Sequence, residues 1–585
     1  MAPGWGSSSL GNPSGGTWRG AGGLFQYCVL GAARLWWVFV IFWDDWGVAK
    51  GYRPVERDQL MLLPPDMREW LPAGHPVWLV IRAVGEHLDT SAFHAGRKTG
   101  GAGAAGYDPD MLVTVLVWAY AHGITSSRRV EELCRTDVAF RVICGGNLPD
   151  HVTIARFRAD FAGAAGPFFA AVLRLCAQLG MGRLGVVALD GTKIAASASK
   201  SANRSRDRLA ELAERAVAAH AEADAAEDAL FGPGVAGDEV PEDAWRPGSR
   251  DERIAAALAS LDAERAAAQA ADQAKAAEFR ARRQAGQRTG PAPAGAAVEL
   301  AQEKLDRAVA AQQARCRDWD ARNAAKIAKT GTGLAGPRPA GPDGYVRVRQ
   351  AQAHLDKVRA RAAARAAKQE QQDRPVPVRN ITDPHSRLMP VRGGGFIQGY
   401  NAQNVTSQDG LIIATALTND STDCQWFEPM IRAAQNAAAL IQASRPSPGQ
   451  EAAGIGMVLA DAGYCSEDNL TAAGPDRIIA TGKRRDLEKA ARTGKRAGRN
   501  GTGPATTAMA ERLKTPEAIT AYRHRGHIAE TPHGHIKHNM GFRQLSLRGK
   551  PKATAEWTFT AAVHNLLKAL TASHLTTQAL TALPA

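Results

Sequence analysis

Residues 185–194, GVVALDGTKI, constrain the fold more than any other stretch of this chain. Five residues without charge run into Asp190 and then Gly191. That is the pattern of a fully buried strand with an acid at or near its end. A buried strand does not hold an ionised Asp unless a cation or hydrogen-bond donors face it. Two readings follow. Asp190 caps the turn after the strand, for which Asp-Gly is ordinary chemistry, or it helps to hold a metal. Residues 456–464, GMVLADAGY, repeat the design with Asp461. Two such strands side by side bring two carboxylates together, and these repel unless a divalent cation sits between them. A third acid is available in residues 522–530, YRHRGHIAE, which end on Glu530, with Lys537 seven residues further on. Two helical turns apart, Glu530 and Lys537 can share a face.

On these residues the chain resembles the DDE transposases of bacterial insertion sequences. The last block is similar to that family's third-acid signature: Tyr522, two residues, Arg525, a short gap, Glu530, six residues, Lys537. Residues 534–549 (GHIKHNMGFRQLSLRG) and 555–570 (AEWTFTAAVHNLLKAL) resemble the family's C-terminal end. The resemblance runs from about Tyr52 onward, apart from a long Ala-rich insertion. It implies an α/β fold: an RNase H-like mixed-sheet catalytic domain, interrupted by an α-helical insertion and preceded by an all-α N-terminal domain. It also implies two Mg²⁺ ions, with Mn²⁺ as a substitute. Asp190 is then shared by both ions, and Asp461 and Glu530 each complete one site. Hard cations of this kind take oxygen ligands. Tyr522, Arg525 and Lys537 would hold phosphates near the element's end. The implied reaction frees the element's 3′ hydroxyls and uses them to attack target DNA. The implied partners are double-stranded DNA, both terminal inverted repeats and target, with room for a homodimer on DNA and no membrane. Two other classes stand beside this one: an RNase H-like nuclease without strand transfer, and a transposase-derived DNA-binding protein without catalysis. The intact acid trio argues against the second.

The net charge of +14 and pI near 9.6 point the same way, towards a polyanionic partner. The seven cysteines are scattered with no CxxC pair. That argues against zinc ribbons and a disulfide framework and fits a reducing cytoplasm; the resemblance implies a nucleoid-associated place within it. His524, His527, His533, His535 and His538 cluster around Glu530, but their spacing matches no common zinc signature.

At 585 residues the chain is too long for one ordinary domain. Residues 1–50 crowd six of the thirteen tryptophans and are read as lying outside the fold. Their apolar run, 35–43, is too short to span a bilayer. Residues 51–182 read as short amphipathic helices, with Asp108-Pro109 and Asp150 as helix starts. In the helix after Asp150, Ile154 and Phe157 are expected inward and Arg156 and Arg158 outward, towards DNA. A DNA-binding helical module and a plain bundle both fit. Residues 199–375 read as four helices rich in Ala and charge, either solvated or a DNA-contacting arm. The catalytic domain takes 183–198 and 376–575. It is expected to hold a hairpin (395–405 and 411–417, joined at Asp409-Gly410), a helix over 419–444, and strands at 457–461 and 477–480. The basic, Gly-rich stretch 483–506 offers Lys483, Arg484 and Arg485 to the DNA backbone, or is a disordered loop. Pro532 leaves Glu530 either just ahead of a helix or at a kink.

Overall fold

The computed structural model describes residues 66–95, 105–231, 249–287, 292–371, 377–391, 394–446, 454–482 and 503–583, with Val55, Arg57, Gly290 and Arg492. The expectations for residues 1–50 and for Lys483, Arg484 and Arg485 lie outside the described residues.

Among the described residues eight strands form in chain order: β1 (Val186–Ala195), β2 (Asn203–Ser205), β3 (Val378–Asn380), β4 (Arg387–Pro390), β5 (Phe396–Ser407), β6 (Ile412–Thr418), β7 (Met457–Ala460) and β8 (Asp476–Ile479). Six of them make one sheet in the order β4-β5-β1-β7-β8, with β6 on the same edge of β5 as β4. β5 is antiparallel to β1 and β6, whereas β1, β7 and β8 run parallel. This is the mixed sheet expected of an RNase H-like domain. β5 and β6 join at Gly410, whose φ of 89° suits glycine.

β1 is buried on both faces, which is why it lacks charge up to Asp190. Val187 and Leu189 enter a core built with the helices Pro109–Ala121, Ala165–Gln178, Phe427–Ala443 and Lys550–Thr571. Ala188 faces the other way, against Leu459, Ile478, Met509, Leu513 and Ile528. The turn reading of Asp190-Gly191 is corrected here. β1 does not end at the acid but runs five residues further, paired with β5 from Asp190 opposite Asn404 to Ala195 opposite Gly399. β7 stops at Ala460, so beyond Leu189 the other edge of β1 is left without a strand. The helix expected over 419–444 also starts late: 419–423 is a loop, followed by a short 3₁₀ turn, Cys424–Trp426, and then Phe427–Ala443.

The N-terminal helices begin where the caps predicted. Asp108 accepts from the Asp110 amide ahead of Pro109–Ala121, and Asp150 from the Thr153 amide ahead of His151–Ala159. These helices share one continuous core with the sheet. Arg158 is a correction: it points inward and is buried. It donates to Thr125 O, stands 3.7 Å from Glu556 and lies over the Tyr120 ring. Glu556, with no exposure, accepts from Tyr120 Oη at 2.9 Å and from the Ser546 and Leu547 amides at 2.9 Å each. A buried acid needs that many donors. Arg156 on the same helix is exposed, as expected.

The insertion forms the four expected helices, Arg206–Phe231, Arg250–Gln284, Ala294–Thr330 and Val346–Gln371. Its root is the two-stranded β2–β3 ladder and a small core of Leu209, Ile254, Ala257 and Leu261. Buried Arg379 on β3 reaches Ser260 and Glu264 of the second helix, and Arg387 on β4 reaches the same Ser260.

Candidate active site

The last rung between the parallel strands β1 and β7 is Leu189 opposite Ala460. Asp190 and Asp461 are the next residue on each strand, and the pairing thus sets the two acids beside one another. Asp461 Oδ1 accepts from the Gly463 amide at 2.9 Å and caps the turn Ala462–Tyr464.

Glu530 comes from a helix packed over this edge. Helical backbone runs from Pro516 to Asn539, α over Pro516–Arg525 and Thr531–Gly534, and π over Gly526–Glu530 and His535–Asn539. Glu530 therefore lies inside the helix, one π turn after Arg525. The wide turn also explains how Pro532 is tolerated: a π turn loosens the ladder where proline lacks its amide and crowds the preceding carbonyl. Five residues apart on an α-helix, Arg525 and Glu530 would diverge; across a π turn they stack on one face.

The three acids converge on the Arg525 guanidinium. Nη2 donates to Asp190 Oδ1 at 2.8 Å and lies 3.9 Å from Asp461 Oδ2, and Nη1 lies 4.0 Å from Glu530 Oε1. Only the first is a hydrogen bond by length. Arg525 Nε is buried with no acceptor. Burial pushes the Asp190 carboxyl above its ordinary range, against Arg525, and Glu530 and Asp423 add to the rise. Burial raises Asp461 in the same way, again opposed by Arg525. Glu530 keeps 63% of its side chain exposed. One largely buried acid, a half-exposed second and an open third are thus partly balanced by one under-bonded cation. Oxygen donors only, carrying more negative charge than one guanidinium offsets, fit a divalent ion.

Lys537 enters from the same helix. Its Nζ donates to Thr192 Oγ1 at 2.5 Å and to Lys193 O at 2.9 Å, which fixes it against the open edge of β1. Burial lowers its pKa, against the pull of Asp190. Tyr522 packs half-buried against the apolar patch under the helix. His533 is buried, and desolvation with Lys537 nearby pulls its imidazole down to about 4. Among the described residues, the cluster that brings three metal-type ligand atoms within 4.8 Å is His94, Asp108 and Asp110, not the histidines near Glu530. The acid trio stands wider than that, spread around Arg525.

The sequence reading missed the opposite side of the same edge. Gly191 and Lys193 pair with Gln403 and Asn401 of β5, and Asp423 sits over them. Asp423 Oδ1 accepts from Asn401 Nδ2 at 2.6 Å and Gln403 Nε2 at 2.7 Å, and lies 3.7 Å from Lys193 Nζ. A Cβ at Gly191 would meet Gln403 Nε2 at 2.5 Å and Asp423 Oδ1 at 2.7 Å, so the glycine makes room for this carboxylate. The only signal in the sequence was an Asp at the start of a helix, which reads as a cap.

Two family comparisons bear on this arrangement. Residues 65–160 match the family described as Transposase domain (DUF772), and residues 381–566 match the family described as Transposase DDE domain. No curated protein and no solved structure matches the chain. The second match contains Asp423, Asp461, Arg525, Glu530 and Lys537, while Asp190 lies between the two matched stretches. DDE transposase domains act on DNA with divalent metal ions. With one match in the helical region and one in the sheet-bearing region of a mixed α/β fold, the two family matches support an insertion-sequence DDE transposase.

Proposed function

We propose that the chain binds the ends of its element and catalyses strand cleavage and strand transfer, with Asp190, Asp461 and Glu530 as the metal-binding acids. The observation that carries this reading is the convergence of all three on one guanidinium, although more than 330 residues separate Asp190 from Glu530. Asp190, the most central, would be the shared ligand, and Asp461 and Glu530 would each complete one site. Two Mg²⁺ ions held there, or Mn²⁺ in their place, would supply an activated nucleophile and charge neutralisation for phosphodiester chemistry. The protein's own part is to hold the phosphate and fix the acids. Lys537, anchored on Thr192 and Lys193, offers a point charge to the DNA backbone, and Arg525 offers a fork once freed from the acids. Tyr522 lines the approach.

We assign residues 51–182 as the helical domain, 183–198 with 376–575 as the catalytic domain and 199–375 as an inserted arm. Exposed Arg156 and the basic stretch with Lys483, Arg484 and Arg485 extend the DNA-binding surface, whose partners are terminal repeats and target DNA, with a homodimer forming on them. Among the described residues no helix is long and apolar enough to cross a membrane. An enzyme of this kind works in the cytoplasm on the nucleoid.

Asp190→Asn, Asp461→Asn and Glu530→Gln each remove one negative charge at nearly constant shape. Each is expected to reduce Mg²⁺-dependent cleavage of the element's ends by at least about 10³-fold, about 4 kcal/mol of transition-state stabilisation. DNA binding, which rests on Lys and Arg, should stay within a few-fold. An Asp190→Asn protein that nicks at the wild-type rate ends this reading. Nicked products never joined to target would leave a nuclease instead.

A further inference from the structure

Asp423 stands at the start of a helical segment, where an acid ordinarily caps. It makes no capping hydrogen bond. Its side chain turns to the sheet instead, and its two oxygens have different surroundings. Oδ1 is locked by the amides of Asn401 and Gln403, both fully buried. Gln403 is fixed in turn by the buried Tyr464 hydroxyl, which donates to its Oε1. Oδ2 receives no hydrogen bond from any described residue and faces Gly463. Asp461 Oδ1 and Asp423 Oδ2 lie 3.0 and 3.3 Å from the point a Cβ on Gly463 would occupy, so both carboxylates border that glycine. Gly191 makes room for Oδ1 on the other side, and the acid is thus brought in through gaps left by two glycines. A carboxylate held by a dedicated pair of amides beside a second acid carries charge that Lys193, 3.7 Å from Oδ1, offsets only in part, and a cation in the site would use the rest.

We propose that Asp423 is a fourth acid of the metal site, a positioning residue whose Oδ2 acts on the ion held by Asp190 and Asp461. Divalent ions such as Mg²⁺ keep several waters, and acids just beyond the direct ligands accept hydrogen bonds from them and orient the set. Asn401, Gln403 and Tyr464 hold Asp423 in that role, and Lys193 offsets part of its charge.

The proposal rests on the acid-trio reading, and a titration of the full-length protein with Mn²⁺ alone, followed by electron paramagnetic resonance, separates the two. Asp461→Asn tests the trio. Asp423→Asn and Asp423→Ser test the fourth acid, and Asp423→Glu tests rescue. Asp420→Asn is the structural control, because Asp420 in the same loop is consumed by Thr418 and Trp426. Asp423→Asn and Asp423→Ser are expected to weaken Mn²⁺ binding by about tenfold, in the range lost with an outer acid. Asp423→Glu should recover part of it, and Asp420→Asn should lower the melting temperature without moving Mn²⁺ affinity. If Asp461→Asn loses Mn²⁺ while both Asp423 variants bind within twofold of wild type, the fourth acid is overturned and the trio stands. If Asp461→Asn also binds normally, the trio reading falls first.

Discussion

At the scale of single residues, Arg525 has two claims on it. The sequence reading placed it on DNA phosphate, and the structure shows it among the acids. A planar cation with five donors, one good hydrogen bond and a buried Nε without an acceptor is weakly held for so central a position. It partly balances the carboxylates; on the proposed reading a divalent ion would replace it and leave the guanidinium available to the backbone of the bound end. Arg525→Gln is therefore expected to raise Mn²⁺ affinity of the DNA-free protein severalfold while weakening binding to element ends, both read on the same preparation. An unchanged or weaker Mn²⁺ affinity would show that Arg525 helps to organise the acids rather than standing in for the ion. Asp190 and Asp461 stood out because each follows an apolar strand pattern, whereas Glu530, on a helix, was marked by the resemblance of its block. Asp423 did not stand out, because an Asp before a helix has a common explanation that the backbone here does not use. Arg158 misled for a related reason: neighbouring arginines on a short helix look alike in sequence, and only the buried Glu556, almost 400 residues away, distinguishes them.

At the scale of elements, strands and helices were legible from period and caps, but local winding was not. No pattern of side chains marks a π turn, so the choice between a helix start and a kink at Pro532 could not be made. The C-terminal helix Lys550–Thr571 carries a second consequence. His564 is buried with Nε2 3.2 Å from Gly410 O, an acceptor only, so Nε2 carries the proton. Its Nδ1 then accepts from His535 Nδ1 at 3.0 Å. Burial and His535 pull His564 down to about 3, as burial pulls His533 to about 4. Their folded values lie below the ordinary value of 6.5, so the unfolded chain takes up these protons first. Stability is complete above about pH 6.5 and is lost as pH falls towards 4, with a slope of up to about 1.4 kcal/mol per unit for each imidazole. The melting temperature should fall steadily between pH 7 and 5. His564→Gln keeps a donor for Gly410 and should flatten that fall. An equal fall in the variant would assign the effect to other groups.

At the scale of the whole molecule, the helical N-terminal region and the catalytic sheet share one core, and the Arg158–Glu556–Tyr120 cluster ties them. Removing one partner of a buried charge pair leaves the other uncompensated. Arg158→Ala is accordingly expected to destabilise the fold by about 3–5 kcal/mol in chemical denaturation. Arg156→Ala should leave stability within about 0.5 kcal/mol and act only on DNA binding. A loss below about 1 kcal/mol for Arg158→Ala would mean that Glu556 is satisfied by its backbone and tyrosine donors alone. The position of the arm follows from the same connectivity: the chain leaves the sheet after β1, enters and leaves the arm through the β2–β3 ladder and returns to the sheet at β4, so the arm's root follows the strand that carries Asp190.

That connectivity also sets a timetable. On the ribosome β1 emerges early, but its partner β5 follows roughly 200 residues later, on the order of 10–40 s of synthesis. The arm's helices need only local contacts and fold in the interval, whereas the sheet must wait for a distant strand. The hydrophobic half of β1 stays without a partner for that time, and Glu530 follows later still. A chain cut short before residue 530, however well its arm folds, would lack the third acid of the proposed site and so carry no blade.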